Sequence, residues 1–257
     1  VITNKSAKGK KGTIVAILKG TNSDSIIPLL LKLPEKARNK VKEITLDLAG
    51  SMGLIARKCF PNAIRVIDRF HVQQLASEAL QEIRIRHRWE AIEAENDAID
   101  KARKTKHAYA PEILSNGETL KQMLARSRYL LYKSEHNWTL EQATRASILF
   151  DLYPDIRKAY TLSQKLSWIY SNTTDRIIAF SRLAKWFEEV EQAGFKVFNI
   201  LSKTIMNHYP RILNYFNNRS TNASAESFNA KIKAFRSQYR GVRDVNFFLF
   251  RLSKLFA

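Results

Sequence analysis

Three acidic residues, Asp47, Asp68 and Glu226, stand where phosphodiester chemistry would need them. Cleavage and transfer of a phosphodiester can be run by two divalent metal ions, one activating the attacking oxygen and one stabilising the leaving oxygen. Magnesium suits the task because it takes hard oxygen ligands and keeps waters that a substrate can replace. Such a site needs carboxylates on the ends of rigid elements, close in space though distant in sequence. Asp47 lies near the end of the run 41–48 (VKEITLDL), and Asp68 directly follows the run 63–67 (AIRVI). Open α/β sheets place their sites beyond the carboxyl ends of strands. Each acid also has a plainer reading. An acid near a strand end often caps a turn. Glu226 with Lys233 on the same helix face is a surface charge pattern worth ~0.3 kcal/mol. Asp68 and His71 could be a helix cap and its neighbour.

The elements that must position these acids follow from local pattern. Residues 13–18 (TIVAIL) are short and β-branched, so a strand is predicted after the basic turn Lys8-Gly9-Lys10-Lys11-Gly12. Residues 25–33 read as a helix stopped before Pro34. In the strand 41–48, Ile44, Leu46 and Leu48 share one face and Thr45 and Asp47 the other. Residues 50–60 form a short helix and 63–67 a further strand. From about Phe70 to about Phe216 strand signals fade. Apolar stripes at helical spacing recur there: Trp89, Ile92 and Ile99 with Asn96; Leu183, Trp186, Phe187 and Val190; Phe198, Leu201, Ile205 and Tyr209. Thr139 and Gln142 have the spacing of a capping box. Pro111, Asn116-Gly117, Pro154, Gly194 and Pro210 are the expected breaks. From Ser220 a strongly amphipathic helix is predicted, followed by a shorter one. Phe228, Ile232, Phe235 and Tyr239 line one side, and Glu226, Asn229, Lys233, Ser237 and Arg240 the other, so Glu226 faces away from the core.

Composition narrows the partner. The chain has 257 residues, 45% of them apolar, which is enough to bury a core. Forty-three Lys and Arg against 24 Asp and Glu leave a net charge of +19, and a compact chain with that excess is eased by a polyanion. The basic residues run from Lys5 to Lys254 rather than along one amphipathic helix, which favours nucleic acid over a membrane surface. Cys59 is the single cysteine, so an intrachain disulfide and a Cys-based zinc site are excluded and a reducing compartment fits. It reads as a small buried residue. There is no glycine-rich phosphate loop, no HExxH and no CxxC, and the five histidines are scattered. Arg84, Arg86 and Arg88 beside Trp89 could meet phosphates and stack on an unpaired base, but Trp89 and Trp186 on apolar stripes read first as core. Trp138, just before a helix start, is expected to be the freest of the four tryptophans.

The specific strings go further. The segment EITLDLAGSMGLIARKCFPNAIRVIDRFH, carrying Asp47, Phe60-Pro61-Asn62-Ala63 and Asp68-Arg69-Phe70-His71, resembles the second-acid region of the ISL-three family of insertion-sequence transposases. The segment STNASAESFNAKIKAFRSQYRGVRDVNFFLFR, with Glu226, Asn229 and Ile232-Lys233, is similar to that family's third-acid helix. The resemblance implies an α/β (α+β) fold: an RNase H-like core, partial at its N-terminal strand, with a large all-helical insertion. Residues 1–72 would begin the core, 73–216 form the insertion and 217–257 complete the core. It implies DDE chemistry, in which Asp47 and Glu226 are the second and third acids and hold Mg2+ or Mn2+, with Asp68, His71 and Asn229 in support. Lys231, Lys233, Arg236, Arg240 and Arg243 would guide the DNA backbone. The partners implied are insertion-sequence ends and target DNA, with self-association on DNA, no membrane, and the bacterial cytoplasm as the setting.

One departure from the family pattern matters. Nothing before Thr13 is acidic, and Asp24 lies in the wrong place, so the first strand and first Asp are expected outside this chain, which alone would be inactive. A non-enzymatic basic DNA-binding protein, such as a decayed transposase, is therefore a competing reading. A nuclease on the same fold is another, disfavoured by the long helical insertion.

Overall fold

The computed structural model describes residues 1–7, 12–238, 244 and 247–251. The basic turn residues Lys8 to Lys11, and Tyr239, Arg240 and Arg243, lie outside the described residues. The chain divides into two compact units, Val1–Arg69 with Asn218–Ala257, and Phe70–Asn217. The composite is mostly helical with small sheets, an α+β arrangement.

In the first unit, β1 (Ile2–Thr3) pairs antiparallel with β2 (Ile14–Ala16). The helix α1 (Ser23–Leu31) starts where the Asn22 side chain accepts the Asp24 N–H, satisfying one of the donors that a helix start leaves open. A short α2 (Glu35–Arg38) leads to β3 (Glu43–Leu46), α3 (Gly50–Cys59) and β4 (Ile64–Ile67). β3 and β4 run parallel with Glu43 opposite Ile64 and Leu46 opposite Ile67, the pairing that a strand–helix–strand connection produces. Both strands are shorter than the apolar runs in the sequence, and Asp47 falls one residue past the end of β3.

Two apolar clusters hold this unit together. Ile26, Ile27 and Leu30 of α1 pack with Ile55 and Cys59 of α3 and with Phe60, and Ile2, Ala16, Leu18 and Ile44 lie against them. Both strand pairs thus rest on one helical layer. Phe228 and Phe235 of α12 (Ala223–Gln238) form the second cluster with Ile232, Ile14, Ile17 and Phe248. Ile14 and Ala16, on one face of the hairpin strand β2, thus join the two clusters, while Val15 on its other face is 45% exposed. Cys59 is buried, as the sequence suggests.

The elements of the second unit are helical: α4 (Arg69–Lys104), α5 (Leu120–Leu130), α6 (Leu140–Leu152), α7 (Pro154–Ser171), α8 (Arg176–Ala193), α9 (Lys196–Asn207), α10 (Tyr209–Leu213) and α11 (Tyr215–Asn218). Their ends are written locally. Thr139 and Gln142 make the predicted capping box of α6, and Thr119 and Gln122 make a second one on α5. Pro154 opens α7, and Asp175 accepts the Ile177 and Ile178 N–H groups at the start of α8. Gly194 ends α8 at φ 73°, a left-handed conformation that glycine adopts without steric cost.

The stripes Leu183–Trp186–Val190 and Phe198–Leu201–Ile205 are buried as their spacing predicts. Trp186 is fully enclosed and its indole N–H donates to the Leu162 carbonyl at 2.9 Å. Two tryptophan expectations fail. Trp89 is 58% exposed rather than core, because α4 turns the side carrying Val72, Ala76, Leu80, Ile83 and Ala91 inward and Trp89 sits on the opposite side. Trp138 is not free. Its N–H donates to the Leu130 carbonyl at 2.8 Å, and its ring lies 5.5 Å from Tyr160 and 6.2 Å from Phe150.

Candidate catalytic site

Asp47 and Asp68 stand at equivalent places. The β3–β4 register ends on Leu46 opposite Ile67, and the Asp68 N–H donates to the Leu46 carbonyl at 2.9 Å, so the two acids are the next residues of neighbouring strands. Neighbouring strands lie about 4.8 Å apart. Asp47 is half-buried, and its Oδ1 accepts the Ala49 N–H at 3.0 Å. The turn role that its position suggests is therefore present, and one carboxylate oxygen carries it.

Asp68 differs. It is 2% exposed, and its Oδ2 accepts the backbone N–H of Asn222 at 2.5 Å. Asn222 immediately precedes α12, and its carbonyl accepts the Glu226 N–H at 3.0 Å, the first turn of that helix. A short path of hydrogen bonds thus runs from the end of β3, through Asp68, to the turn that carries Glu226. Glu226 is half-buried and points off the Phe228–Phe235 side, as the wheel predicts.

A second tie holds the same segment. Asn218 Nδ2 donates to Glu43 Oε2 at 2.9 Å, at the start of β3. Residues 218–222 therefore run from the beginning of the strand pair to its carboxyl end. Lys5 joins from the hairpin, with its ammonium 2.5 Å from Thr45 Oγ1 and 3.8 Å from Glu43. Burial lowers the Lys5 pKa, and the charges of Glu43 and Asp68 oppose that shift. Lys5, Glu43, Asn218 and Asn222 carry no motif; sequence reading misses them because their partners are up to 175 residues away.

Of the supporting and basic residues, Asn229, Lys231, Lys233 and Arg236 are exposed on α12. At about 100° per residue, Lys233 returns to the Glu226 side while Lys231 lies roughly 140° around the helix. Lys231 and Lys233 therefore lie on different sides of α12. His71 is half-buried in the first turn of α4, its ring edge-on to Phe70 at 5.7 Å. Among the described residues no group of three or more His, Cys, Asp or Glu is arranged to hold a metal ion, and none of the described helices is long and apolar enough to cross a membrane.

Comparison with known proteins names the family. The profile of the ISL3 group of DDE transposases, described as "Transposase", matches residues 1–252. The transposase for insertion sequence element IS1001 of Bordetella parapertussis is 23% identical over 230 residues, covering 88% of this chain and 50% of that protein. The transposase for insertion sequence element IS1557 of Mycobacterium tuberculosis is 25% identical over 197 residues, covering 76% of this chain and 43% of that protein. The chain spans about half the length of the curated relatives it matches. No solved structure matches it. With acids at the ends of adjacent strands and a profile match over nearly its whole length, the chain belongs to the ISL3 family of insertion-sequence transposases.

Proposed function

We propose that this chain is the catalytic core of a DDE transposase that cuts the ends of its insertion sequence and joins them to target DNA. The core is RNase H-like, begun by residues 1–72 and completed by 217–257, and residues 73–216 are an all-helical insertion. Asp47 and Glu226 are the second and third acids. The observation that carries this reading is the Asp68–Asn222 bond, which ties the turn bearing Glu226 to the strand ends bearing Asp47.

The donor chemistry suits magnesium or manganese. Asp47 and Glu226 would offer carboxylate oxygens at the edge of rigid elements, and hard divalent ions take oxygen ligands. When bound, such ions polarise the attacking and leaving oxygens of a phosphodiester. The chain's own residues do the rest. Asp68 holds the third-acid helix in place and Asn229 lies one turn after Glu226 on its side. Lys233 and Arg236, with Arg240 and Arg243 further along the sequence, provide positive charge for the DNA backbone, and Lys231 contributes from the flank. His71 supports the segment that follows Asp68. The enzyme works on DNA in the bacterial cytoplasm, as a self-associated assembly on paired element ends.

The first acid comes from sequence outside this chain. Among the described residues β1 pairs only with β2 and β3 only with β4, and both pairs lie on the same α1–α3 cluster. A strand entering between them would stand beside Asp47 and use backbone groups that both edges leave open. The chain alone is accordingly expected to bind DNA without cutting it.

The test is crystallographic. Crystals soaked in manganese should show an anomalous peak within about 2.1 Å of carboxylate oxygens of both Asp47 and Glu226. A peak on neither residue, or carboxylates facing separate surfaces, would sink the assignment. Nicking of DNA by this polypeptide, abolished by Asp47→Ala, would refute the expectation that it is inactive alone.

A further inference from the structure

The helical unit carries an uncompensated cluster of arginines where α4 and α5 meet. Arg84 is 4% exposed, yet among the described residues its guanidinium makes no ion pair with a carboxylate. Its Nη1 donates to the Leu124 carbonyl at 2.7 Å and its Nε to Gln81 Oε1 at 2.6 Å. Gln81 in turn donates to the Arg128 carbonyl at 3.1 Å, which brings the end of α5 against the same stretch of α4. Arg88 follows Arg84 by one turn, and its Nε is buried without a hydrogen-bond partner. Arg128 is exposed, with its guanidinium 5.5 Å from the Tyr129 ring. Neither Arg88 nor Arg128 makes an ion pair among the described residues.

Neighbouring charges in this unit are matched. Glu118 takes Arg126 and Arg145, Asp155 takes Arg86 and His87, and Glu95 takes Lys121. The Arg84 pKa is lowered first by burial and then by the charges of Arg88 and Arg128. Three like charges with an unfilled donor among them cost free energy that an anion would relieve. Guanidinium groups in such a set suit the oxygens of a phosphate. Beside the cluster are two tyrosines, Tyr129 in the last turn of α5, 68% exposed, and Tyr132 two residues past its end, 46% exposed. In water such rings gain little, but unpaired bases can stack on them. A duplex keeps its base faces covered, so this combination of charge and ring fits a single strand.

We propose that the α4–α5 face is a binding surface for unpaired DNA, in which Arg88 and Arg128 hold the backbone, the buried charge of Arg84 lies behind them, and Tyr129 and Tyr132 stack on bases. It rests on the reading of the chain as a DNA-processing protein and gives its helical unit a substrate contact of its own. Of the set Arg84, Arg86 and Arg88 with Trp89 that the sequence suggests, it keeps Arg84 and Arg88 and puts tyrosines in place of Trp89. Arg86 is engaged with Asp155 and Glu90, and Arg84 points into the α4–α5 contact.

Fluorescence anisotropy on the whole chain tests it, with a labelled oligothymidine and a labelled hairpin duplex. The substituted side chains are exposed, and thermal unfolding checks that each variant is folded. Tyr129→Ala with Tyr132→Ala should weaken oligothymidine binding at least about fivefold, since each stacked base is worth ~1–3 kcal/mol, and leave duplex binding unchanged. Arg128→Gln should weaken oligothymidine binding and reduce the slope of log affinity against log salt by about 0.7. Oligothymidine binding that none of these substitutions alters overturns the proposal, as does an equal loss on duplex in the tyrosine variant. Absence of binding to either DNA overturns the DNA-processing reading with it.

Discussion

The Asp68 carboxylate accepts the Asn222 N–H at 2.5 Å across 154 residues of sequence. Everything between them belongs to the helical unit or its boundaries, so this bond is where the chain returns to its α/β part. A buried acid used this way positions another element. Asp68→Ala would leave the Asn222 N–H without its acceptor, at a cost of about 1–3 kcal/mol. Hydrogen exchange should then accelerate at residues 220–226 while α7 and α8 keep their protection. Unchanged exchange at 220–226 would show that Asp68 does not hold the segment.

Asp47→Asn keeps an oxygen that can accept the Ala49 N–H, so the turn should survive while the charge is lost. The expected outcome is an unchanged melting temperature with manganese binding, followed by calorimetry, weakened at least about tenfold. A similar loss is expected for Glu226→Gln. If both variants bind manganese as the parent chain does, Asp47 and Glu226 are not its ligands.

Glu118 offers a pH prediction. It is buried, and hydrogen bonds from Arg145 first, then from Arg126 and Asn116, hold its pKa down from 4.5 to about 2 against the effect of burial. A carboxylate whose folded pKa lies below its unfolded value stabilises the fold fully above the unfolded value. That contribution, on the order of 3 kcal/mol, should fade as pH falls from about 4.5 towards 2. Glu118→Gln should therefore lower stability near neutral pH and flatten the acid limb between those values. Parallel acid limbs in chemical denaturation would count against it.

The two tryptophans on apolar stripes should separate sharply. Trp186→Ala removes a fully enclosed ring and leaves the Leu162 carbonyl without its donor, with an expected cost of about 3–5 kcal/mol. Trp89→Ala, on the solvent side of α4, should change stability by no more than about 0.5 kcal/mol. Urea titrations of both variants decide it, and comparable losses would mean that Trp89 is covered in solution.

Much of the local structure was legible in the chain. Thr139 with Gln142, Pro154 and Gly194 mark helix ends because capping, a missing N–H and a left-handed turn act within a few residues. The same rules would have found Thr119 with Gln122. Leu183, Trp186 and Val190 declare a buried side because a helix repeats every 3.6 residues. Asp47 and Asp68 could be placed at strand ends, and Glu226 off the core side of its helix, for the same reason.

Contacts between distant segments were not legible. Trp89 lies on a stripe as apolar as others in the unit, yet which side of a helix meets the core depends on neighbours that periodicity does not name. Asp68 looked like a cap, and its acceptor role emerged only when β4 and the start of α12 met. Arg84, Arg88 and Arg128 are ordinary basic residues along the chain and become a cluster only where α4 crosses α5. By itself, the sequence determined the elements, their ends, the charge and the acid types, all of which follow from interactions over one or two helical turns. The tertiary structure decided which acid is buried, which rings face water and which charges go unmatched, since those depend on faces brought together across tens to hundreds of residues.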